Sequence, residues 1–194
     1  VEYQVDKESD LALNLTNLKQ ILARAKPSDM LTLETDADNA KLKVELNGKS
    51  KRTFSLPIIE ADDREQKVPQ LKFPVTVKMN SSMFNDSIED VDVVGESVTL
   101  VVDEEKKFVV KAEGDLSDAM IEVKGDDDAK IDSTEKKAVM AKYSIEYMKK
   151  IIKGSKLAPT ATVQFNTDYP LRLEYKAVDR AVLAFILAPR VDND

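Results

Sequence analysis

The chain has 194 residues, 42% apolar and 34% charged, enough apolar side chain to bury a core in one to two domains of ordinary size. It contains no cysteine and no histidine, which excludes a disulfide framework, a thiolate nucleophile, a cysteine-based metal site and imidazole general-base chemistry; its five glycines are not spaced to cradle a phosphate. The formal charge of −7 opposes whole-molecule attraction to nucleic acid or an acidic membrane, so any contact with a polyanion has to come from a local basic face. No stretch approaches the roughly 18 consecutive apolar residues of a membrane span, and the opening Val1-Glu2-Tyr3-Gln4-Val5-Asp6 has no targeting pattern. These features predict an intracellular protein with no cofactor, no metal and no membrane partner.

In chain order, residues 10–14 alternate as a short strand. A helix follows over residues 16–26, with Leu15, Leu18, Ile21, Leu22 and Ala25 on one face and Pro27 as its stop. Strands are expected at 30–35, 41–46 and 52–58, with Asn47-Gly48 as the turn between the last two. The same order then recurs. Residues 73–79 form a leading strand, residues 82–90 a helix with Phe84, Ile88 and Val91 inward, and 97–102, 108–112 and 119–124 three strands. A third round has a strand at 138–143, a helix at 144–153 with Ile145, Met148, Ile151 and Ile152 inward, and strands at 161–165, 171–175 and 182–187. Leu18-Lys19-Gln20-Ile21-Leu22 aligns with Met148-Lys149-Lys150-Ile151-Ile152, so one βαβββ unit occurs three times.

Two connectors separate the copies. Residues 60–71 are charged, carry Pro69 and read as an interdomain linker. Residues 125–137, with Asp126-Asp127-Asp128 and Glu135-Lys136-Lys137, read as a solvated acidic loop.

Five segments carry a resemblance to a known family: Leu13-Asn14-Leu15-Thr16-Asn17-Leu18-Lys19, Phe54-Ser55-Leu56-Pro57-Ile58, Lys111-Ala112-Glu113-Gly114-Asp115, Tyr169-Pro170-Leu171-Arg172-Leu173-Glu174-Tyr175 and Leu187-Ala188-Pro189-Arg190. In order and over nearly the whole chain, they resemble the DNA sliding clamps of the proliferating cell nuclear antigen (PCNA) type, and the cysteine-free composition and the Ala188-Pro189-Arg190 ending resemble archaeal members. The resemblance implies an α+β DNA clamp fold with antiparallel sheets outside and helices lining a channel. It implies a homotrimeric or heterotrimeric ring that encircles duplex DNA without reading its sequence, acting as a processivity factor in replication and repair. Its partners would be DNA polymerase, the clamp loader, flap endonuclease and DNA ligase, held through short glutamine-aromatic motifs. The location implied is the cytoplasm, beside the nucleoid, in an archaeon, or the nucleus in a eukaryote. A complete member has four copies of the unit and three are visible here. Residues 1–58 are therefore expected to be the C-terminal half of the first clamp domain, 59–72 the connecting loop and 73–194 the second domain, with the natural polypeptide beginning roughly 50–60 residues, one repeat, before Val1.

Carried onto this sequence, the resemblance assigns three groups of residues. Lys19, Gln20 and Arg24, followed by Lys26, and then Lys149, Lys150, Lys153 and Lys156 would face DNA, where cations attract phosphates without reading base edges. A charged back face is also what any amphipathic surface helix presents. The helix over residues 82–90 departs from the family with Asp86, Glu89 and Asp90, which suit a solvated face or subunit or partner contacts. The partner-peptide pocket would use Val68, Pro69, Pro170, Ile186, Ala188 and Pro189. Subunits would join by pairing one edge strand bearing Arg52, Phe54 and Leu56 with another bearing Met120, Ile121 and Val123.

Two other readings stand beside this one. Asp126-Asp127-Asp128 as a magnesium site would need further ligands at metal spacing, which the sequence does not offer. A clamp-like interaction scaffold that does not encircle DNA fits the three-copy count and the acidic second helix. No catalytic residue is expected in either clamp-like reading.

Overall fold

The computed structural model describes residues 2–5, 10–36, 38, 40–60, 70–123, 125 and 129–190, and these divide into two compact units, residues 1–68 and 69–194. In the first unit, α1 (Leu15–Leu22) precedes β1 (Met30–Thr35), β2 (Lys41–Asn47) and β3 (Lys51–Pro57), which form one antiparallel sheet in that order. Asn14 caps α1 by accepting from the Asn17 backbone N–H at 3.1 Å, satisfying a donor the first turn leaves open. The helix is shorter than the pattern predicts. Ala23 N–H still bonds to the Lys19 carbonyl, but Arg24 and Ala25 bond back three residues to Ile21 and Leu22, so the end tightens and stops before Pro27. Leu18 and Ile21 rest on a core of Leu42, Val44 and Leu56, whereas Leu15 and Leu22, expected inward, are exposed. The expected strand at 10–14 is reduced to one bridge between Ala12 and Ile59, because the segment has only that point of backbone pairing among the described residues.

The second unit contains β4 (Val75–Asn80), α2 (Ser81–Asp92), β5 (Ser97–Val102), β6 (Phe108–Glu113), β7 (Asp118–Val123) and β8 (Ala129–Ser133). It continues with β9 (Val139–Ser144), α3 (Ile145–Ile151), a 3-10 turn (Ile152–Lys156), β10 (Thr160–Phe165), β11 (Leu171–Ala177) and β12 (Ala181–Leu187). The strands make two antiparallel sheets, ordered β12-β11-β10-β4-β8 and β7-β6-β5-β9. Alternation along the strands buries Val75, Val77 and Met79 in one sheet and Val98, Leu100 and Val102 in the other. With Phe84, Ile88 and Val91 of α2, and Ile145 and Met148 of α3, they form a single core.

Two expectations for the second unit need correction. Residues 125–137 are not all loop: Ala129–Ser133 is a strand, and its pairing with β4, Met79 opposite Ala129 through Val75 opposite Ser133, satisfies a backbone edge of β4 that would otherwise face no partner. The helix expected over 144–153 is α through Ile151 and then 3-10 through Lys156. Gly154 lies in that turn because a Cβ there would stand 2.6 Å from the Tyr175 ring, closer than side-chain carbons pack. Likewise, in Lys111-Ala112-Glu113-Gly114-Asp115, a Cβ on Gly114 would meet the Val94 carbonyl oxygen at 2.2 Å, so the glycine is required by a close backbone approach.

Candidate functional site

The cations of the third repeat gather on one surface. Met148 and Ile152 point into the core, which turns Lys149, Lys150, Lys153 and Lys156 outward along a groove of about 900 Å³ between α2 and the α3 segment. They are not equivalent there. The Lys149 ammonium lies 2.5 Å from the Asp92 carboxylate at the end of α2. Lys150 donates to Glu146 one turn earlier at 2.7 Å and sits 4.8 Å from the centre of the Tyr147 ring; the hydrogen bond holds Lys150 above its ordinary pKa and Glu146 below its own. Lys153 and Lys156 have no ion pair among the described residues. In the first unit, Lys19, Gln20, Arg24 and Lys26 are exposed, away from Leu18 and Ile21. Arg52 donates to the Arg24 carbonyl at 2.9 Å and to the Asp29 carboxylate, fastening the end of α1 to β3.

The tail residues meet through strand register. β11 pairs with β12 so that Leu171 faces Leu187 and Arg172 faces Ile186, bringing Pro170 to the level of Ala188. Ile186 is 41% exposed and so is not spent on the core, Ala188 is exposed, and Pro170 and Pro189 are half-buried. Tyr143, a buried side chain whose phenol burial pushes well above its ordinary pKa, donates to the Tyr169 carbonyl at 2.8 Å and fixes the backbone just before Pro170. Phe73 meets Tyr169 edge to face at 6.1 Å. Beyond β12, the Arg190 N–H bonds to the Lys142 carbonyl at 2.7 Å and ties the tail to β9 of the other sheet. Val68 and Pro69 lie outside the described residues, as does Asp126-Asp127-Asp128.

The two strands assigned to assembly are both sheet edges within their own units, β3 beyond β2 and β7 beyond β6. Their side chains divide by pleat. Leu56 and Val123 are buried, Arg52, Phe54 and Ile121 are half-buried, and Met120 is 66% exposed. Among the described residues no group of three or more histidine, cysteine or acidic side chains could hold a metal ion, and no helix is long and apolar enough to cross a membrane.

Sequence reasoning missed Asp92 as the partner of Lys149, and Phe73 and Tyr169 beside Pro170. The Glu146–Lys150 pair was available from its spacing of four on a helix. Asp92 and Lys149 are 57 residues apart, and no local pattern connects them.

An α+β unit of two antiparallel sheets backed by two helices, with open edge strands and a cationic helix face, defines the DNA clamp class of folds. The family model for the proliferating cell nuclear antigen C-terminal domain matches residues 67–190. A DNA polymerase sliding clamp from Nanoarchaeum equitans is 32% identical over 193 residues, covering 99% of this chain and 78% of that one. A sliding clamp from Thermococcus onnurineus is 31% identical over 192 residues, covering 99% of this chain and 76% of its own length. The crystal structure of PCNA from Thermococcus kodakaraensis superposes with a TM-score of 0.85 at 26% identity, covering 97% of this chain and 76% of that one. The chain belongs to the PCNA family of DNA sliding clamps.

Proposed function

We propose that this chain is a subunit of a ring that encircles duplex DNA and tethers replication and repair enzymes to it, a non-catalytic processivity factor. The observation that carries the reading is the pair of open edges, β3 in one unit and β7 in the other, within a chain that matches sliding clamps along almost its whole length. An edge strand offers unpaired N–H and C=O groups. If β3 of one subunit pairs with β7 of the next, the contact is head to tail and closes at fixed rotation, giving a homotrimer or heterotrimer.

Charge favours that pairing. Arg24, just past the end of α1, is held to Arg52 of β3 through its carbonyl, while Asp86 and Asp90 of α2 line a small groove with Ile121 of β7. The carboxylates that set the second helix apart from a DNA-facing role thereby gain a subunit-contact role. In such a ring, Lys19, Gln20 and Arg24 of α1 and the lysines of the α3 segment line the channel. Contact with phosphates alone lets the ring hold duplex DNA and slide, since each phosphate neutralised releases counterions and no base edge is read. Polymerase, clamp loader, nuclease and ligase would dock by glutamine-aromatic motifs over Pro170, Ile186, Ala188 and Pro189, extended by Val68 and Pro69. The setting is the cytoplasm beside the nucleoid of an archaeon.

Two experiments test the reading. Mass in solution of the wild-type chain is expected to be that of three subunits for a homotrimer, and Asp86→Lys with Asp90→Lys is expected to return it to one; a single-chain mass for the wild type would contradict the homotrimer. Ile186→Asp places a charge in an apolar contact and is expected to abolish binding of a glutamine-aromatic peptide with the fold intact. Unchanged affinity would remove the tail as the docking site. The non-encircling scaffold is favoured by one observation, the slight core of the first unit beneath an exposed β1 with Met30, Leu31 and Leu33 uncovered, and it predicts peptide binding without a closed ring.

A further inference from the structure

The groove between α2 and the α3 segment holds more cations than it leaves available. Lys149 is engaged by Asp92 and Lys150 by Glu146, and the Arg190 guanidinium donates to Ser97 Oγ at 2.8 Å with Glu96 3.9 Å away. Lys153 and Lys156 line the same groove with no carboxylate partner among the described residues. The two lysine pairs differ in kind. Lys150 and Glu146 sit on one helix, one turn apart. Asp92 reaches from α2 across to α3 and sets a carboxylate on the surface that would meet phosphates.

We propose that Asp92 is a built-in competitor for DNA phosphate: it occupies Lys149, so that this subunit's hold on the duplex rests on Lys153 and Lys156. The inference rests on the DNA-facing reading of the α3 segment. Its physical basis is ion exchange. A free lysine that neutralises a phosphate releases a counterion from DNA, and each such contact steepens the dependence of affinity on salt by about 0.9. A lysine that must first leave a carboxylate uncovers a new anion, which takes a cation back from solution, so its net release is close to zero. The pair is loose enough to exchange, because 47% of the Lys149 side chain and 34% of that of Asp92 remain in contact with solvent. Asp92 therefore weakens the grip and flattens its salt dependence without removing the positive face, which suits a protein that must move along DNA.

The test is the retention of the labelled chain on closed circular duplex, which leaves a ring no end to slide from, across a salt series, for the wild type, Asp92→Asn, Lys149→Gln, the double variant, and Lys153→Glu with Lys156→Glu. Asp92→Asn is expected to tighten binding about two- to fivefold and to steepen the salt slope by about one. In the Lys149→Gln background that gain should vanish, which separates release of Lys149 from a general loss of negative charge. Reversal of Lys153 and Lys156 should weaken binding. If that reversal weakens binding while Asp92→Asn has no effect, or the same effect with and without Lys149, the competitor role is overturned and the DNA-facing surface stands. If the reversal changes nothing, or the wild type does not bind, the DNA-facing reading fails and the inference fails with it.

Discussion

Leu18-Lys19-Gln20-Ile21-Leu22 of α1 and Met148-Lys149-Lys150-Ile151-Ile152 at α3 carry the same apolar spacing, and the molecule treats them differently. Leu18 is half-buried and Leu22 38% exposed, while Met148 is fully buried and Ile152 3% exposed. α3 joins a core shared by two sheets and α2. α1 lies on a single three-stranded sheet, against the buried cluster of Leu42, Val44 and Leu56, with Leu46 also buried. Apolar spacing thus determines which face of a helix turns inward, but the depth of burial depends on how much apolar surface the rest of the unit provides. Polar contacts add to that smaller core: Arg52 to Asp29 and to the Arg24 carbonyl, and Lys43 between Glu34 and Glu45 at 3.2 and 2.8 Å.

The comparison can be broken by matched substitutions. Met148→Ala removes a fully buried side chain and should destabilise the second unit by about 2–5 kcal/mol in urea unfolding, whereas Leu18→Ala at the aligned position should cost no more than about 1–2 kcal/mol. Equal costs would show that the repeats are equally packed. Gly154→Ala should cost about 1–3 kcal/mol, since the new methyl must displace the buried Tyr175 ring; an unchanged midpoint would mean the 3-10 turn shifts freely.

Acid should separate the units in a different way. The Lys26 backbone N–H and then the Arg52 guanidinium hold the Asp29 carboxyl below its ordinary 3.8. Because the folded value is the lower one, its contribution is present at neutral pH and is lost as pH falls below about 3.8 toward the folded pKa. Asp29→Asn should therefore reduce the loss of first-unit stability across that window, followed by circular dichroism; an unchanged acid transition would remove Asp29 from the account. The smallest effect is expected from Asp92→Asn, under about 0.5 kcal/mol in stability, because its pair with Lys149 is exposed. A larger loss would make that pair a structural strut.

Much of this was legible in the sequence because burial follows alternation: Val75, Val77 and Met79, or Val98, Leu100 and Val102, admit one inward face. β8 was not, because Ala129-Lys130-Ile131-Asp132-Ser133 offers two apolar side chains beside three aspartates, and the strand forms to pair the open edge of β4. The helix back faces were legible as cationic, since a lysine one or two residues from a buried position, as Lys149 and Lys150 are from Met148, turns away from the buried face. Which lysines remain free was not, because Asp92 answers Lys149 from another helix. Nor could the sequence place β3 and β7 at sheet edges, a matter of strand order that local pattern does not encode.

The central claim, a ring closed around duplex DNA, is tested most directly by retention of the labelled chain on closed circular duplex before and after a single cut. A ring should persist on the circle and be lost from the ends once the DNA is linear, with Lys153→Glu and Lys156→Glu shortening the time on the circle. Equal retention on circular and linear DNA would contradict encirclement.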